Sequence, residues 1–254
     1  MPAPVHERDL VAVCGLAAVE ALFAADPRRV ERLFFEPRFA RPLLGARRLL
    51  GKAHKPYRAV EADELARIAG TVRHGGVVAV ARPKQLPSLA AGEPALWVRR
   101  RHPVLILDGV GNPHNLGAIA RSAAYFGVEH VILAERPDQA LPSAASYRIA
   151  EGGLDRLALH RAALPAGLEA LRPFYRIVGT AAAGGVAPGG LRRDRPLALI
   201  LGDEESGLAA ATLAACDTVV TIPAAPPSAA GQVQSLNVAA AAAVLLYALA
   251  GGSS

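Results

Sequence analysis

Short apolar runs alternate with helical patterns along this chain of 254 residues. Continuous apolar runs are typical of parallel strands covered on both faces. We expect such buried strands at 77–81, 104–107, 130–133 and 197–201, and further strands at 30–35, 57–60, 175–180 and 218–222. The helical patterns fall at 10–23, 39–50, 62–68, 115–126, 142–149, 168–172, 208–215 and 237–250. Strands that alternate with helices predict an α/β fold.

A segment rich in proline and arginine, residues 83–102, interrupts this alternation. Its composition is typical of a linker between two domains. We therefore expect a small α/β domain at 8–82 and a larger one at 103–250. Trp97 is a candidate anchor that holds the linker against one of them.

The charge is basic, with a formal net charge of +6 and a pI near 9.8, and most of it is arginine. The arginines cluster at 28–29, 47–48, 99–101 and 192–195. A basic balance favours a polyanionic partner such as RNA. A coding sequence of high GC content also produces an arginine-rich surface, without any such partner. The charge alone therefore leaves both explanations open.

Several classes of protein are disfavoured. The two cysteines are Cys14 and Cys216, and neither forms a CxxC pair, so we expect neither a disulfide framework nor a metal site. The first residues lack the order of a signal peptide. The longest apolar stretch, 238–250, is shorter than the roughly 20 residues that a membrane span needs. We expect a cytoplasmic protein.

Three loops carry the candidate chemistry, and each directly follows an apolar strand. They are DGVGNPHNLGAIAR at 108–121, LGDEESGL at 201–208, and the segment 222–238, which runs from IP to GQVQSLNV. Loops at the carboxyl ends of parallel strands are where α/β folds build their sites. Neither the third glycine of a dinucleotide fingerprint nor a GxxxxGK[ST] phosphate loop is present.

These loops resemble the three motifs of the SpoU/TrmH family of RNA methyltransferases, within the SPOUT superfamily. The first resembles NPxNxGxxxR, the second GxExxG and the third IP…GxxxSLNV. The matching residues are Asn112, Pro113, Asn115, Gly117, Arg121, Gly202, Glu204, Gly207, Ile222, Pro223, Gly231, Ser235, Leu236, Asn237 and Val238. The resemblance covers about 103–250, and GLAAVEALF and HGGVVAV extend it more loosely to the N-terminal part.

The resemblance implies a fold, a cofactor and partners. The C-terminal domain would be a parallel-sheet methyltransferase domain with a deep trefoil knot, which general topology rules treat as a rare exception. The N-terminal domain would bind RNA and resemble kink-turn-binding ribosomal proteins. The expected activity is transfer of a methyl group from S-adenosylmethionine to a ribose 2′-hydroxyl of ribosomal or transfer RNA, with ribosomal RNA favoured. A homodimer is also implied.

The resemblance also implies roles for eight residues. The expected catalytic residues are Arg121, Asn115, Glu204, Ser235 and Asn237, and the expected cofactor-binding residues are Gly202, Ile222 and Leu236. Arg121 would act either as general base or by stabilising negative charge on the 2′-oxygen. We favour the second, because a guanidinium rarely loses its proton.

Simpler structural roles compete with several of these assignments. Asn115, Ser235 and Asn237 could cap helices, and Ile222 and Leu236 could be ordinary core. We expect Asn112 only to shape a turn and the carboxylates beside Glu204 to be solvated.

One departure from the family pattern keeps a second function open. Seven residues, 224–230, separate the IP dipeptide from Gly231 where the family usually has two, and this longer loop borders the cofactor site that the resemblance implies. The alternative is a catalytically silent RNA-binding protein that retains the fold. Base methylation is a third possibility, against which the NPxNxGxxxR motif argues.

Overall fold

The structure is a computed structural model that describes residues 10–225, 233 and 235–250. Its strands are β1 Val11–Cys14, β2 Val30–Phe35, β3 Tyr57–Ala59, β4 Val77–Ala81, β5 Val104–Asp108, β6 His130–Ala134, β7 Ala158–Ala162, β8 Arg176–Thr180, β9 Leu197–Gly202 and β10 Thr218–Val220. Its helices are α1 Leu16–Ala25, α2 Leu44–Lys52, α3 Ala62–Ala69, α4 Glu93–Trp97, α5 Pro113–Tyr125, α6 Ala144–Ala150, α7 Gly153–Arg156, α8 Ala210–Ala214 and α9 Val238–Ala250.

The chain forms two compact units. The first contains the residues up to Gln85 together with Pro142–Arg156, and the second contains Leu86–Leu141 and the residues from Leu157 onward. The N-terminal unit therefore includes a segment, Pro142–Arg156, that is far from the rest of it in sequence.

The N-terminal unit contains a four-stranded sheet in the order β1-β4-β2-β3. The β1 and β2 strands pair antiparallel with β4, and β3 pairs parallel with β2. The prediction of a single helix over 10–23 is wrong, because residues 11–14 form β1 and the helix starts at Leu16. Gly15 separates the two with a φ of 91°, a backbone conformation that cannot continue a helix.

The second predicted helix also begins later than expected. Residues 37–39 form a 3-10 turn and α2 starts only at Leu44. Pro42 accounts for the delay, since proline has no N–H and disfavours helical geometry in the residue before it.

A buried ion pair connects segment 142–156 to the turn directly before β2. Arg29 Nη1 donates to Asp155 Oδ1 at 2.6 Å, and Nη2 donates to the Tyr147 hydroxyl at 2.9 Å. The relative exposure of Arg29 is 8%, that of Asp155 4% and that of Tyr147 0%. Burial raises the pKa of Tyr147 to about 12, so its hydroxyl keeps its proton. A charged contact within the N-terminal unit thus joins positions 126 residues apart.

The C-terminal unit contains a six-stranded sheet in the order β10-β8-β9-β5-β6-β7, and every pairing in it is parallel. The expected α/β fold with a parallel sheet is confirmed. The predicted strand at 218–222 ends at Val220, and the β7 strand was missed because its sequence, ALHRA, is not continuously apolar. The α5 and α9 helices pack against each other.

The expected linker is more ordered than its composition indicates. It contains α4, and the Trp97 ring stacks on the His130 ring with centroids 4.0 Å apart, which anchors this segment to the C-terminal unit. Burial lowers the pKa of His130 to about 4, so this ring is neutral at pH 7.

Among the described residues, no helix is long and apolar enough to cross a membrane, and no group of three or more His, Cys, Asp or Glu residues could hold a metal ion.

Candidate active site

The candidate site lies at the carboxyl-terminal edge of the parallel sheet. The β5 and β9 strands are neighbours, and Asp108 at the end of β5 pairs in register with Gly202 at the end of β9. The loops that carry the first two motifs therefore leave the sheet side by side. The third motif leads into α9, which packs on α5. This arrangement allows three sequence-distant loops to meet.

The side chain of Asn115 connects all three motifs. Its Nδ2 donates a hydrogen bond to Glu204 Oε1, and its Oδ1 accepts one from Asn237 Nδ2 at 3.1 Å. Glu204 lies in the loop after β9 and Asn237 lies just before α9. Three of the predicted catalytic residues are therefore in direct contact.

The helix α9 determines the direction of these hydrogen bonds. Asn237 Oδ1 accepts from the backbone N–H groups of Ala239 and Ala240 at 3.0 and 3.4 Å, so Asn237 caps α9. Its Nδ2 must then face Asn115 as a donor, and Asn115 must present its own Nδ2 to Glu204. Glu204 Oε1 is therefore the acceptor at this end of the chain of hydrogen bonds.

The prediction that Asn115 could cap α5 is wrong. The capping residue is Asn112, whose Oδ1 accepts from the backbone N–H of His114 at 2.8 Å. Pro113 occupies the first helical position, where its missing N–H carries no cost. Asn115 is the third residue of the helix, and its side chain is therefore available for Glu204 and Asn237.

The second motif forms a tight loop around Asp203. Asp203 Oδ1 accepts from the backbone N–H groups of Glu205 and Ser206 at 3.0 and 2.9 Å, and from the Ser206 hydroxyl at 2.9 Å. Hydrogen bonds from the Ser206 backbone, more than any other cause, lower the pKa of Asp203. The expectation that this carboxylate is merely solvated is wrong, because it closes the loop that presents Glu204.

Gly202 is required because the backbone of the same loop passes very close to it at Gly207. A Cβ atom at this position would lie 2.3 Å from the carbonyl carbon of Gly207, and Asp203 and Gly207 also form a two-way backbone pair. No other residue type fits without moving the loop. Gly207 itself has a φ of 70°, a conformation that favours glycine.

Sequence reasoning missed the side chains that hold the first loop. Asp108 is 1% exposed, and it accepts from Arg136 Nη1 at 3.1 Å and from the Ala209 N–H at 3.3 Å. Gln139 accepts from the Gly109 N–H and donates to the Val110 carbonyl, both at 3.0 Å. The position of Asp108 at the end of an apolar strand was a usable signal, whereas nothing in the sequence links Gln139 to this loop.

The remaining predicted site residues lie on the same elements, with different exposure. Arg121 is exposed on α5, six residues after Asn115 and about 9 Å further along the helix axis. Ser235 and Leu236 are exposed just before Asn237, and Ile222 is half-buried after β10. Leu236 and Ile222 are thus not ordinary core. Gly231 and residues 226–230 lie outside the described residues.

A further loop lies at this edge, and the sequence motifs did not predict it. Residues 181–185 follow β8, and the Gly185 N–H donates to Thr221 Oγ1 at 2.9 Å, whose hydroxyl donates in turn to the Ala181 carbonyl at 3.0 Å. The glycine-rich loop after β8 is thereby fixed beside the residue that precedes Ile222.

Comparison with known proteins agrees with this arrangement. The chain matches the SpoU rRNA Methylase family over residues 102–247 and the RNA 2'-O ribose methyltransferase substrate binding family over residues 12–87.

Individual relatives extend the match along the chain. It is 34% identical over 237 residues to the 23S rRNA (guanosine-2'-O-)-methyltransferase RlmB of a Burkholderia species, covering 92% of this chain and 93% of the relative. The RlmB of Nitrosomonas europaea is 37% identical over 196 residues, which cover 74% of this chain and 70% of the relative.

A solved structure shows the same fold. The SpoU methyltransferase AviRb of Streptomyces viridochromogenes aligns with a TM-score of 0.74 at 26% identity, over 96% of this chain and 90% of that one. It is also known in complex with the cofactor AdoMet, and that structure aligns with a TM-score of 0.70 at 24% identity, over 96% of this chain and 91% of that one. This chain therefore belongs to the SpoU rRNA methylase family and carries the substrate-binding domain of RNA 2'-O-ribose methyltransferases at its N-terminal end.

Proposed function

We propose that this protein transfers a methyl group from S-adenosylmethionine to a ribose 2′-hydroxyl of ribosomal RNA. The observation that carries the proposal is the direct contact of Asn115 with both Glu204 and Asn237, which joins the three family motifs. The RlmB relatives act on 23S rRNA, which favours ribosomal over transfer RNA as the substrate.

The residues at the sheet edge fit this cofactor. Its adenosine part needs backbone hydrogen-bonding groups and apolar contact more than charged partners, and S-adenosylmethionine supplies the methyl group when it is bound. Gly202 brings two backbone segments together at the end of β9. Leu236, which is 50% exposed, and the half-buried Ile222 offer apolar surface. We assign these three residues to cofactor binding.

The proposed catalytic residues have two kinds of role, electrostatic stabilisation and positioning. Arg121 keeps its positive charge, binds an RNA phosphate and stabilises the negative charge that develops on the 2′-oxygen. Asn115, Glu204 and Asn237 fix α5, the loop after β9 and the start of α9 relative to one another, so that the reacting groups are held in line. Ser235, exposed two residues before Asn237, offers a hydroxyl to the substrate.

Calorimetry with S-adenosylmethionine separates this proposal from a silent RNA-binding protein. We expect saturable binding by the wild-type chain, and weaker binding when Gly202→Val pushes the loop after β9 away from its position. Far-UV circular dichroism checks that the variant is folded. A wild-type chain that does not bind the cofactor would favour the silent alternative.

The N-terminal unit offers a basic face for RNA on α2. Residues 28–58 contain ten Lys and Arg against two Asp and Glu, and both of those acids are paired, Glu31 with Lys55 and Glu36 with Arg38. Arg48 and Lys52 are exposed on one face of α2. Residues four apart on a helix are neighbours, so these two cations project together.

Exposed apolar groups accompany this charge. Leu44, Leu49 and Tyr57 are 44%, 47% and 38% exposed, and the Arg47 guanidinium lies 5.5 Å from the centroid of the Tyr57 ring. Single-stranded RNA is recognised by cations that contact phosphates and by aromatic or apolar groups that contact unstacked bases. This combination supports α2 as an RNA-binding face.

Charge reversal on α2 tests this assignment. We expect Arg48→Glu with Lys52→Glu to weaken RNA binding at least tenfold and to lower the salt slope of log K by about 1.5, because two phosphate contacts are lost. The matched control is Arg67→Glu with Arg73→Glu, two exposed arginines elsewhere in the same unit. Equal losses in both double variants, measured by filter binding, would contradict a specific role for α2.

We also propose the remaining features that the family resemblance implies. They are the trefoil knot, the kink-turn-type RNA-binding domain at 8–82, the linker at 83–102, the catalytic domain at 103–250, the homodimer and the cytoplasmic location. Tyr125 and Tyr247, on the packed helices α5 and α9, are 83% and 70% exposed. This exposed aromatic surface supports a second copy as the partner.

A further inference from the structure

Two of the four arginine clusters converge on one cavity of about 620 Å³ in the C-terminal unit. Arg100 and Arg101 precede β5, and Arg193 and Arg195 precede β9, about 90 residues later in the sequence. Because β5 and β9 are neighbours and parallel, the residues before them lie at the same edge of the sheet. The sheet topology therefore concentrates positive charge in one place.

The lining of this cavity selects for an anion with an apolar part. Among the residues that the structure describes, those that line it include four arginines and one histidine and no Asp or Glu. Phe126, Leu246 and Leu249 supply an apolar wall. Like charges that converge on a low-dielectric cavity raise its positive potential and attract an anionic ligand. A phosphate attached to a base and a sugar satisfies both parts of this lining.

Neighbouring groups hold the arginines but neutralise them only in part. Arg193 donates to the carbonyls of Ala248 and Leu249 at 2.7 and 3.2 Å, which fixes its position at the end of α9 without cancelling its charge. Arg195 donates to the Arg172 carbonyl at 3.0 Å and lies 3.9 Å from an Asp217 oxygen.

The 99–101 segment shows the same incomplete neutralisation. The carboxylate of Glu129 lies 2.5 Å from Arg100 and 3.5 Å from His102. Arg101 has a φ of 56°, an unusual conformation for a residue other than glycine. Such strained positions cluster at ligand-binding sites.

This cavity is separate from the methyl-transfer site. It lies before the first residues of β5 and β9, whereas Asn115 and Glu204 follow the last residues of these strands. A strand of this length spans about 17 Å. A group bound in the cavity therefore cannot be the nucleotide that receives the methyl group.

We propose that this arginine-lined cavity binds a nucleotide phosphate, with the base and sugar against the wall formed by Phe126, Leu246 and Leu249. The phosphate belongs either to an RNA nucleotide distant from the methylated one or to a free nucleotide. Both sources share the chemistry that the cavity recognises, and their affinities distinguish them. The proposal does not depend on methyl transfer.

Arg101→Gly tests the proposal without straining the chain, because glycine adopts a positive φ readily. The matched control is Arg99→Ala, which removes the same charge from the same turn at a residue that does not line the cavity. Titrations use ATP and a 20-nucleotide single-stranded RNA, with S-adenosylhomocysteine present to fill the cofactor site. We expect Arg101→Gly to weaken binding of at least one probe about tenfold, and Arg99→Ala less than twofold.

The two titrations distinguish the source of the phosphate. Weakened ATP binding identifies a site for free nucleotides, and weakened RNA binding alone identifies a site for RNA phosphate. Unchanged binding of both probes, or an equal loss in Arg99→Ala, would overturn the proposal. Methyl transfer is measured on the same samples at saturating RNA. A wild-type chain that binds ATP in the cavity but transfers no methyl group would contradict the proposed function and leave this inference intact.

Discussion

Replacing Arg121 with alanine will lower the rate of methyl transfer about 1,000-fold and leave the protein folded. The expected loss is that of one charged group that stabilises developing negative charge in a transition state. Arg121 is exposed on α5, and alanine is the best helix former, so we expect α5 to stay helical. Single-turnover transfer of labelled methyl groups to RNA measures the effect.

Two further variants define what Arg121 does. Arg121→Lys keeps the charge but loses the planar fork that binds phosphate with two hydrogen bonds, so it should retain a small part of the activity. Arg67→Ala removes an exposed arginine from α3 and should leave the rate within twofold of wild type. Activity within threefold of wild type in Arg121→Ala would remove this residue from the mechanism.

Replacing Arg29 with methionine will destabilise the N-terminal unit by about 3–5 kcal/mol, because it leaves a buried carboxylate without its partner. The guanidinium of Arg29 bonds Asp155 and Tyr147, and Asp155 is 4% exposed. The same change releases the segment Pro142–Arg156, which lies in this unit but is distant in sequence. Urea unfolding followed by far-UV circular dichroism measures the loss.

The neighbouring arginine and the single tryptophan make this test specific. The side chain of Arg28 forms an exposed pair with Asp26, so Arg28→Met should change stability by less than about 0.5 kcal/mol. Trp97 is the only tryptophan and lies in the C-terminal unit, so its fluorescence reports on that unit. Equal stability of Arg29→Met and Arg28→Met would show that the buried pair contributes nothing.

The sequence predicts the sheet of the C-terminal unit well because its strands are buried on both faces. The apolar runs at 104–107, 130–133 and 197–201 correspond to β5, β6 and β9. The hydrophobic pattern alone misplaces the first strand, since residues 11–14 are apolar at spacings that suit a helix as well as a strand. Only the pairing of β1 with β4 decides between the two.

The sequence predicts the site less completely than the fold. Motif spacing identifies Asn115, Glu204 and Asn237 as candidates, but the hydrogen bonds that join them depend on three loops meeting in space. The capping role was assigned to Asn115 rather than Asn112 because both asparagines precede the apolar part of α5. Long-range contacts such as that of Gln139 with Gly109, or the convergence of Arg101 and Arg193, leave no local pattern in the sequence.

The most direct test of the proposed function locates the transferred methyl group. Ribosomal RNA is incubated with the protein and S-adenosylmethionine carrying a labelled methyl group, then hydrolysed with alkali. We predict label in an alkali-resistant dinucleotide, because a 2′-O-methyl group blocks cleavage at its own nucleotide. Label recovered in a mononucleotide would indicate a methylated base and would contradict ribose chemistry, and an absence of label in RNA would contradict the enzyme.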